Sequence, residues 1–145
     1  MKYQDKIYAV IDTNVLVSSY FSKDGSSNPS LIVKSIFQNK IVPVFNDEII
    51  NEYRNVLYRA KFQFSAELIE NLLDTIIQLG IKIEHGKQTD EYFPDPKDIV
   101  FYEVKMAVDD SYLVTGNIKH FPKEPLVVTP VQMLNILKEK GLLPS

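Results

Sequence analysis

The sequence predicts an α/β fold, a sandwich of helices around a mainly parallel sheet. Three observations support this. Short apolar runs of strand length alternate with longer stretches of helical periodicity, the pattern of strands joined by crossover helices. The first run, Tyr8-Ala9-Val10-Ile11, ends on a carboxylate, Asp12. No internal repeat, low-complexity tract or linker interrupts the alternation, so positions 1–145 read as one domain.

The elements follow in order. Ile7 to Ile11 is rich in residues that suit a buried strand. A Ser- and Gly-rich loop over 22–27 leads to Asn28-Pro29, and Pro29 suits the first turn of a helix. Leu31, Ile32, Ile36 and Phe37 then recur at helical spacing. Ile41-Val42-Pro43-Val44-Phe45 is a short strand in which Pro43 argues for an edge or irregular position. Asn46 or Asp47 caps a helix whose apolar face is Ile49, Ile50, Tyr53, Val56 and Leu57. Ser65 caps another, with Leu68, Ile69, Leu72, Leu73, Ile76 and Ile77 inward and Gly80 at its end. Ile81-Lys82-Ile83 is a weak strand, followed by a polar loop over 86–96. Asp98 opens a helix carrying Ile99, Tyr102, Val104, Met106 and Ala107. Tyr112-Leu113-Val114-Thr115 and Leu126-Val127-Val128 are the last strands. Thr129-Pro130 caps a final helix that Gly141 ends.

Bulk properties narrow the function. At 45% hydrophobic residues the chain has enough apolar mass for a sizeable core. Cys is absent, so disulfides, thiolate nucleophiles and cysteine-ligated zinc are excluded. The two histidines, His85 and His120, lie far apart and give no zinc signature. No apolar run approaches a membrane span, and the opening Met1-Lys2-Tyr3-Gln4-Asp5-Lys6 does not read as a leader; a cytoplasmic setting is expected. With a net charge of −3 and a pI near 5.4, nucleic acid would be held by a local basic patch and bound metal, not by whole-molecule attraction.

The chemistry centres on acidic residues. Asp12 and Asn117 both follow strands, and parallel strands put them on one rim of the sheet, where ligands gather in such folds. Glu52 lies three residues from Ile49 and four from Val56, at the edge of its helix's apolar face. Asp98 stands at a helix start, where its charge suits the macrodipole. Three carboxylates and an amide converging from distant parts of the chain suggest an oxygen-lined site for Mg²⁺ or Mn²⁺. Such a cation binds a scissile phosphate, activates water and stabilises the leaving oxygen. Without it, clustered carboxylates repel and one or more takes up a proton. Taken singly, Asp12 also reads as a loop cap, Glu52 as a partner of Arg54 or Arg59, and Asp98 as a plain N-cap.

These residues also carry a family resemblance. Ile11-Asp12-Thr13-Asn14-Val15-Leu16, Glu52-Tyr53-Arg54-Asn55-Val56-Leu57, Asp95-Pro96-Lys97-Asp98-Ile99-Val100-Phe101 and Tyr112-Leu113-Val114-Thr115-Gly116-Asn117 resemble, in order and spacing, the motifs of PIN-domain nucleases. The likeness is strongest to the toxin components of toxin–antitoxin pairs. It implies a three-layer α/β/α sandwich and cleavage of single-stranded RNA with Mg²⁺ or Mn²⁺. It also implies a cognate antitoxin partner and a homodimer. By the same likeness Asp12, Glu52 and Asp98 match the acidic metal positions, and Thr13, Asn14 and Thr115 match polar positions beside them. Asn117 departs from the family, where Asp is common. It can coordinate through its carbonyl but adds no charge, which favours one metal over two. Asp95 and Asp110 are candidate substitutes, with Asp95 better suited to shaping its loop.

Other readings stay open. A PIN-fold module that binds RNA or protein without cutting is favoured by Asn117 and opposed by the retained acids. A phosphatase of the haloacid dehalogenase type needs a second Asp two residues after the first, and Asn14 stands there. A receiver domain needs a phosphoacceptor Asp after a middle strand, and none is evident. His120 reads chiefly as a packed loop residue, with proton transfer near neutral pH as the alternative. His85 reads as a turn residue. Arg54, Arg59, Lys61, Lys105 and Lys119 could line a path for an RNA backbone, and Tyr20, Tyr53 or Phe121 could stack on bases. Ordinary solvated charges and core aromatics are the better reading for most of them, and none is singled out as a substrate contact.

Overall fold

The computed structural model describes residues 6–144. The opening segment read as no leader lies outside the described residues, Lys6 excepted. Five parallel strands form one sheet: β1 (Ile7–Ile11), β2 (Ile41–Phe45), β3 (Ile81–Lys82), β4 (Tyr112–Val114) and β5 (Val127–Val128), in the order β3-β2-β1-β4-β5. Six helices flank it: α1 (Thr13–Tyr20), α2 (Asn28–Phe37), α3 (Asp47–Leu57), α4 (Ala66–Leu79), α5 (Ile99–Ala107) and α6 (Pro130–Glu139). α5 packs on β1, β2 and β4, while α2, α3 and α4 pack on β2. The α/β/α sandwich expected from the sequence is the fold.

The helices start where the sequence places their caps. The Asn46 side chain accepts from Ile49 N at 2.9 Å, and those of Ser27 and Ser65 accept from Ser30 N and Leu68 N. Thr129 and Gln132 form a reciprocal capping box at α6. Ala9, Val10 and Ile11 are fully buried, as a central parallel strand requires.

Three expectations are corrected. α1 follows Asp12 directly, where no helix was expected. β2 lies inside the sheet, not at its edge; Pro43 is tolerated because β3 pairs only from Val44 onward. Leu68 and Ile77 are exposed, because Ile69, Leu72, Leu73 and Ile76 already complete the inward stripe of α4. Gly80 ends α4, as expected, in an extended conformation. Glycine is required there by close approach: a Cβ would lie 2.4 Å from the Pro43 carbonyl oxygen.

The topology positions the site. From β1 the chain goes to β2 and β3 on one side, then returns to β4 on the other. The order therefore reverses between β1 and β4, and the crevice at such a switch point is where open α/β sheets bind ligands. Ile11 pairs with Val114, so the residues that follow, Asp12 and Thr115, emerge side by side at that crevice.

Candidate active site

Asp12 is the floor of a cleft of about 430 Å³ at the switch point. Its N–H donates to the Val114 carbonyl at 2.9 Å. The Thr115 hydroxyl donates to its Oδ2 at 2.7 Å, and Thr115 Oγ1 in turn accepts from Asn117 N at 3.0 Å. Asn14 Oδ1 accepts from Gly116 N at 3.2 Å, a second tie between the β1 and β4 ends. Asp12 is only 5% exposed. Burial pushes its carboxyl above the usual carboxylate range; the Thr115 hydroxyl, the nearby N–H groups of Asn14 and Thr13, and His120 pull the other way.

Glu52 reaches the same cleft from α3. Its neighbour Tyr53 is buried, and the Tyr53 hydroxyl donates to the Ile11 carbonyl at 2.5 Å, fastening α3 to the end of β1. Tyr53 is thus a strut, not a base-stacking surface. Asp98 enters from the start of α5 without capping it. The turn before it is capped by Asp95, whose Oδ1 accepts from Lys97 N at 3.0 Å, in keeping with a loop-shaping role. Asp98 is pushed up to about 6, first by burial and second by the charge of Asp12. The Asp12 charge thus opposes ionisation of Asp98 in the same cleft. His120 Nδ1 stands 3.5 Å from Asp98 Oδ2.

The cleft thus gathers Asp12, Glu52, Asp98 and Asn117, with Thr13, Asn14 and His120 beside them. Thr115 acts from beneath. The tight three-carboxylate cluster expected from the sequence is not assembled, however. Among the described residues, no three His, Asp or Glu side chains are close enough to hold one ion. Repulsion between uncompensated carboxylates opposes such closure.

The residues present nonetheless fit a hard divalent cation. The carboxylates of Asp12, Glu52 and Asp98 and the Asn117 carbonyl bring oxygen ligands to the cleft, the choice of Mg²⁺ and Mn²⁺, with the His120 imidazole beside them. Thr13, next to Asp12 in the chain, leaves its Oγ1 buried with no hydrogen-bond partner.

A family model described as a PIN domain matches residues 8–119. The chain belongs to the PIN-domain family. Comparisons with curated proteins and with solved structures find no significant match. PIN domains are generally metal-dependent nucleases, which suits the cleft's oxygen donors.

Within this PIN domain several sequence readings move. Glu52 does not pair with Arg54, which bonds Glu70 at 3.3 Å instead. Asp110, in a left-handed turn, does not line the cleft, so it is no substitute for a carboxylate at Asn117. Lys105 is buried on α5 and Phe121 is buried in the core, which removes both from a nucleic-acid path. Arg59 does line the cleft. So do Phe62 and Lys97, which the sequence reading did not place at the site. Lys97 sits inside the Asp95-to-Asp98 motif, a signal available from the start. Phe62 had no such signal. His85 faces a different, smaller pocket. A separate cavity of about 490 Å³, between the 87–91 segment and Tyr102, holds none of these residues. Among the described residues, no helix is long and apolar enough to cross a membrane.

Proposed function

We propose that this PIN domain is a cytoplasmic endoribonuclease that hydrolyses phosphodiester bonds of single-stranded RNA with Mg²⁺ or Mn²⁺. On this reading it is the toxin of a toxin–antitoxin pair, held in check by a cognate antitoxin and working as a homodimer. The observation that carries the nuclease reading is the convergence of Asp12, Glu52 and Asp98 on one cleft at the sheet's switch point. The toxin, antitoxin and dimer assignments rest on the family likeness of the motifs.

Asp12, Glu52 and Asp98 would hold the cation, with the Asn117 carbonyl assisting. When bound, the cation neutralises charge on the scissile phosphate and lowers the pKa of a water nucleophile. Thr115 keeps the Asp12 carboxylate aimed into the cleft. Asn14 holds the β1 and β4 ends in register. His120 orients Asp98. Lys97 and Arg59 offer positive charge to the flanking phosphates at the cleft walls.

A second reading, a PIN-fold module that binds RNA or protein with weak or lost cleavage, is favoured by the neutral Asn117 and by the open acidic set. One experiment separates them: cleavage of a labelled single-stranded RNA with Mn²⁺ or Mg²⁺, by the parent and by Asp12→Ala. The nuclease reading expects metal-dependent cleavage that drops on the order of a hundredfold or more in the variant. RNA binding without cleavage by the parent supports the second reading.

A further inference from the structure

Beside the acidic cleft, the surface carries an aromatic cluster that the proposed chemistry leaves unused. Phe62 and Phe64 follow each other with only Gln63 between, and their rings lie 5.1 Å apart at 8° between planes. Gln63 adopts a φ of 55°, a left-handed conformation that non-glycine residues avoid, and this turn brings the two rings to one side. Phe21, at the end of α1, leans on both at 5.4 and 6.0 Å and is 60% exposed. Tyr20 stacks on Phe64 from beneath at 4.6 Å, and its hydroxyl donates to the Leu68 carbonyl at 3.1 Å, which anchors the group. Lys61 Nζ stands 5.2 Å from the Phe62 ring centre.

Two features distinguish this patch from an ordinary apolar surface. It is continuous with the cleft, because Phe62 and Arg59 line the same space as Asp12 and Glu52. It is also edged by the exposed cations Arg59 and Lys61 in an acidic chain. Aromatic faces flanked by cations are the composition that holds single strands, with rings taking the bases and cations the phosphates.

We propose that Phe21, Phe62 and Phe64, edged by Arg59 and Lys61, form a stacking platform for unpaired bases of a single-stranded nucleic acid whose backbone continues into the cleft. The platform rests on the nuclease reading for the direction of the strand, and it assigns binding of the flanking bases to residues outside the acidic set. Stacking reads every base face alike, so the platform confers preference for unpaired over duplex strands and little preference among sequences.

The test is anisotropy titration of a labelled RNA octamer and of an abasic sugar-phosphate strand of equal length, both against the uncut Asp12→Ala chain. Adding Phe21→Ala is expected to weaken RNA binding roughly tenfold and leave the abasic strand unchanged. Phe21→Trp is expected to retain RNA binding. Equal losses on both strands, or no loss on either, overturn the platform. So does sedimentation showing that Phe21→Ala breaks a dimer while RNA affinity is unchanged, since the patch is then a contact between copies. RNA cleavage by the parent keeps the two claims separate. Cleavage without a Phe21 effect removes the platform alone. A tenfold Phe21 effect without cleavage removes the nuclease reading and leaves the platform. Absence of RNA binding by any form removes the platform and the RNA reading together.

Discussion

Asp12 and Glu52 share one cleft but are held in opposite ways. Asp12 sits at the end of the central strand, buried, with its backbone bonded to Val114 and its carboxylate to Thr115. Glu52 is half-buried on a helix flank, and no ion pair or side-chain hydrogen bond holds it among the described residues. Only the backbone beneath it is fixed, through the Tyr53 hydroxyl. On the proposed function, the sheet would supply a preorganised ligand and the helix one whose final position a cation would select, an arrangement that would keep the like charges apart in the metal-free protein.

Substitutions at the two positions should separate these roles. Glu52→Gln is expected to lower Mn²⁺ affinity by on the order of tenfold to a hundredfold by calorimetry while leaving the metal-free unfolding temperature unchanged. A large loss of metal-free stability would show that Glu52 is structural after all. Thr115→Val removes the hydroxyl that satisfies Asp12 in its buried setting. Urea unfolding should show a loss of about 1.5 kcal/mol, with the Asp12 carboxyl moved further upward. A neutral result would mean that water substitutes for Thr115 and that Asp12 is less fixed than its contacts imply.

Asp98 gives the smallest and most pH-dependent effect. Its folded carboxyl, at about 6, lies above its ordinary value of 3.8, so the folded state binds the extra proton between those two values. Metal-free stability is therefore greatest below pH 4 as far as this group is concerned, and is lost as pH rises through 6. Asp98→Asn should stabilise the metal-free protein at pH 7 by about 1 kcal/mol and flatten that slope. An unchanged slope would place the titrating group elsewhere.

Much of this arrangement was legible in the chain because it depends on local signals. Asp12 ends an apolar run, and Asn46, Ser65 and Thr129 each precede a helical pattern, so strand ends and caps could be placed. α1 was not legible. Thr13, Val15, Val17, Ser18 and Ser19 are weak helix formers, and the helix is held by packing on α2 and α3 rather than by propensity. Gly80 was placed correctly at the end of α4, but the close approach of the Pro43 carbonyl, which comes from another element, was not legible. The burial of Lys105 is likewise a tertiary fact, whereas the inward turn of Tyr53 was already given by its place on the apolar face of α3. Gathering Asp12, Glu52 and Asp98 at one cleft needed the strand order, which periodicity alone does not supply.

The most direct test of the central claim, that Asp12 anchors a divalent-cation site, is thermal unfolding with and without Mn²⁺ for the parent and Asp12→Asn. With cation at about a hundred times its dissociation constant, the parent should gain about 2.7 kcal/mol, a rise of roughly 5–10 °C. Asp12→Asn should show little or none of that rise. An equal rise in both proteins, or none in the parent, would contradict the account.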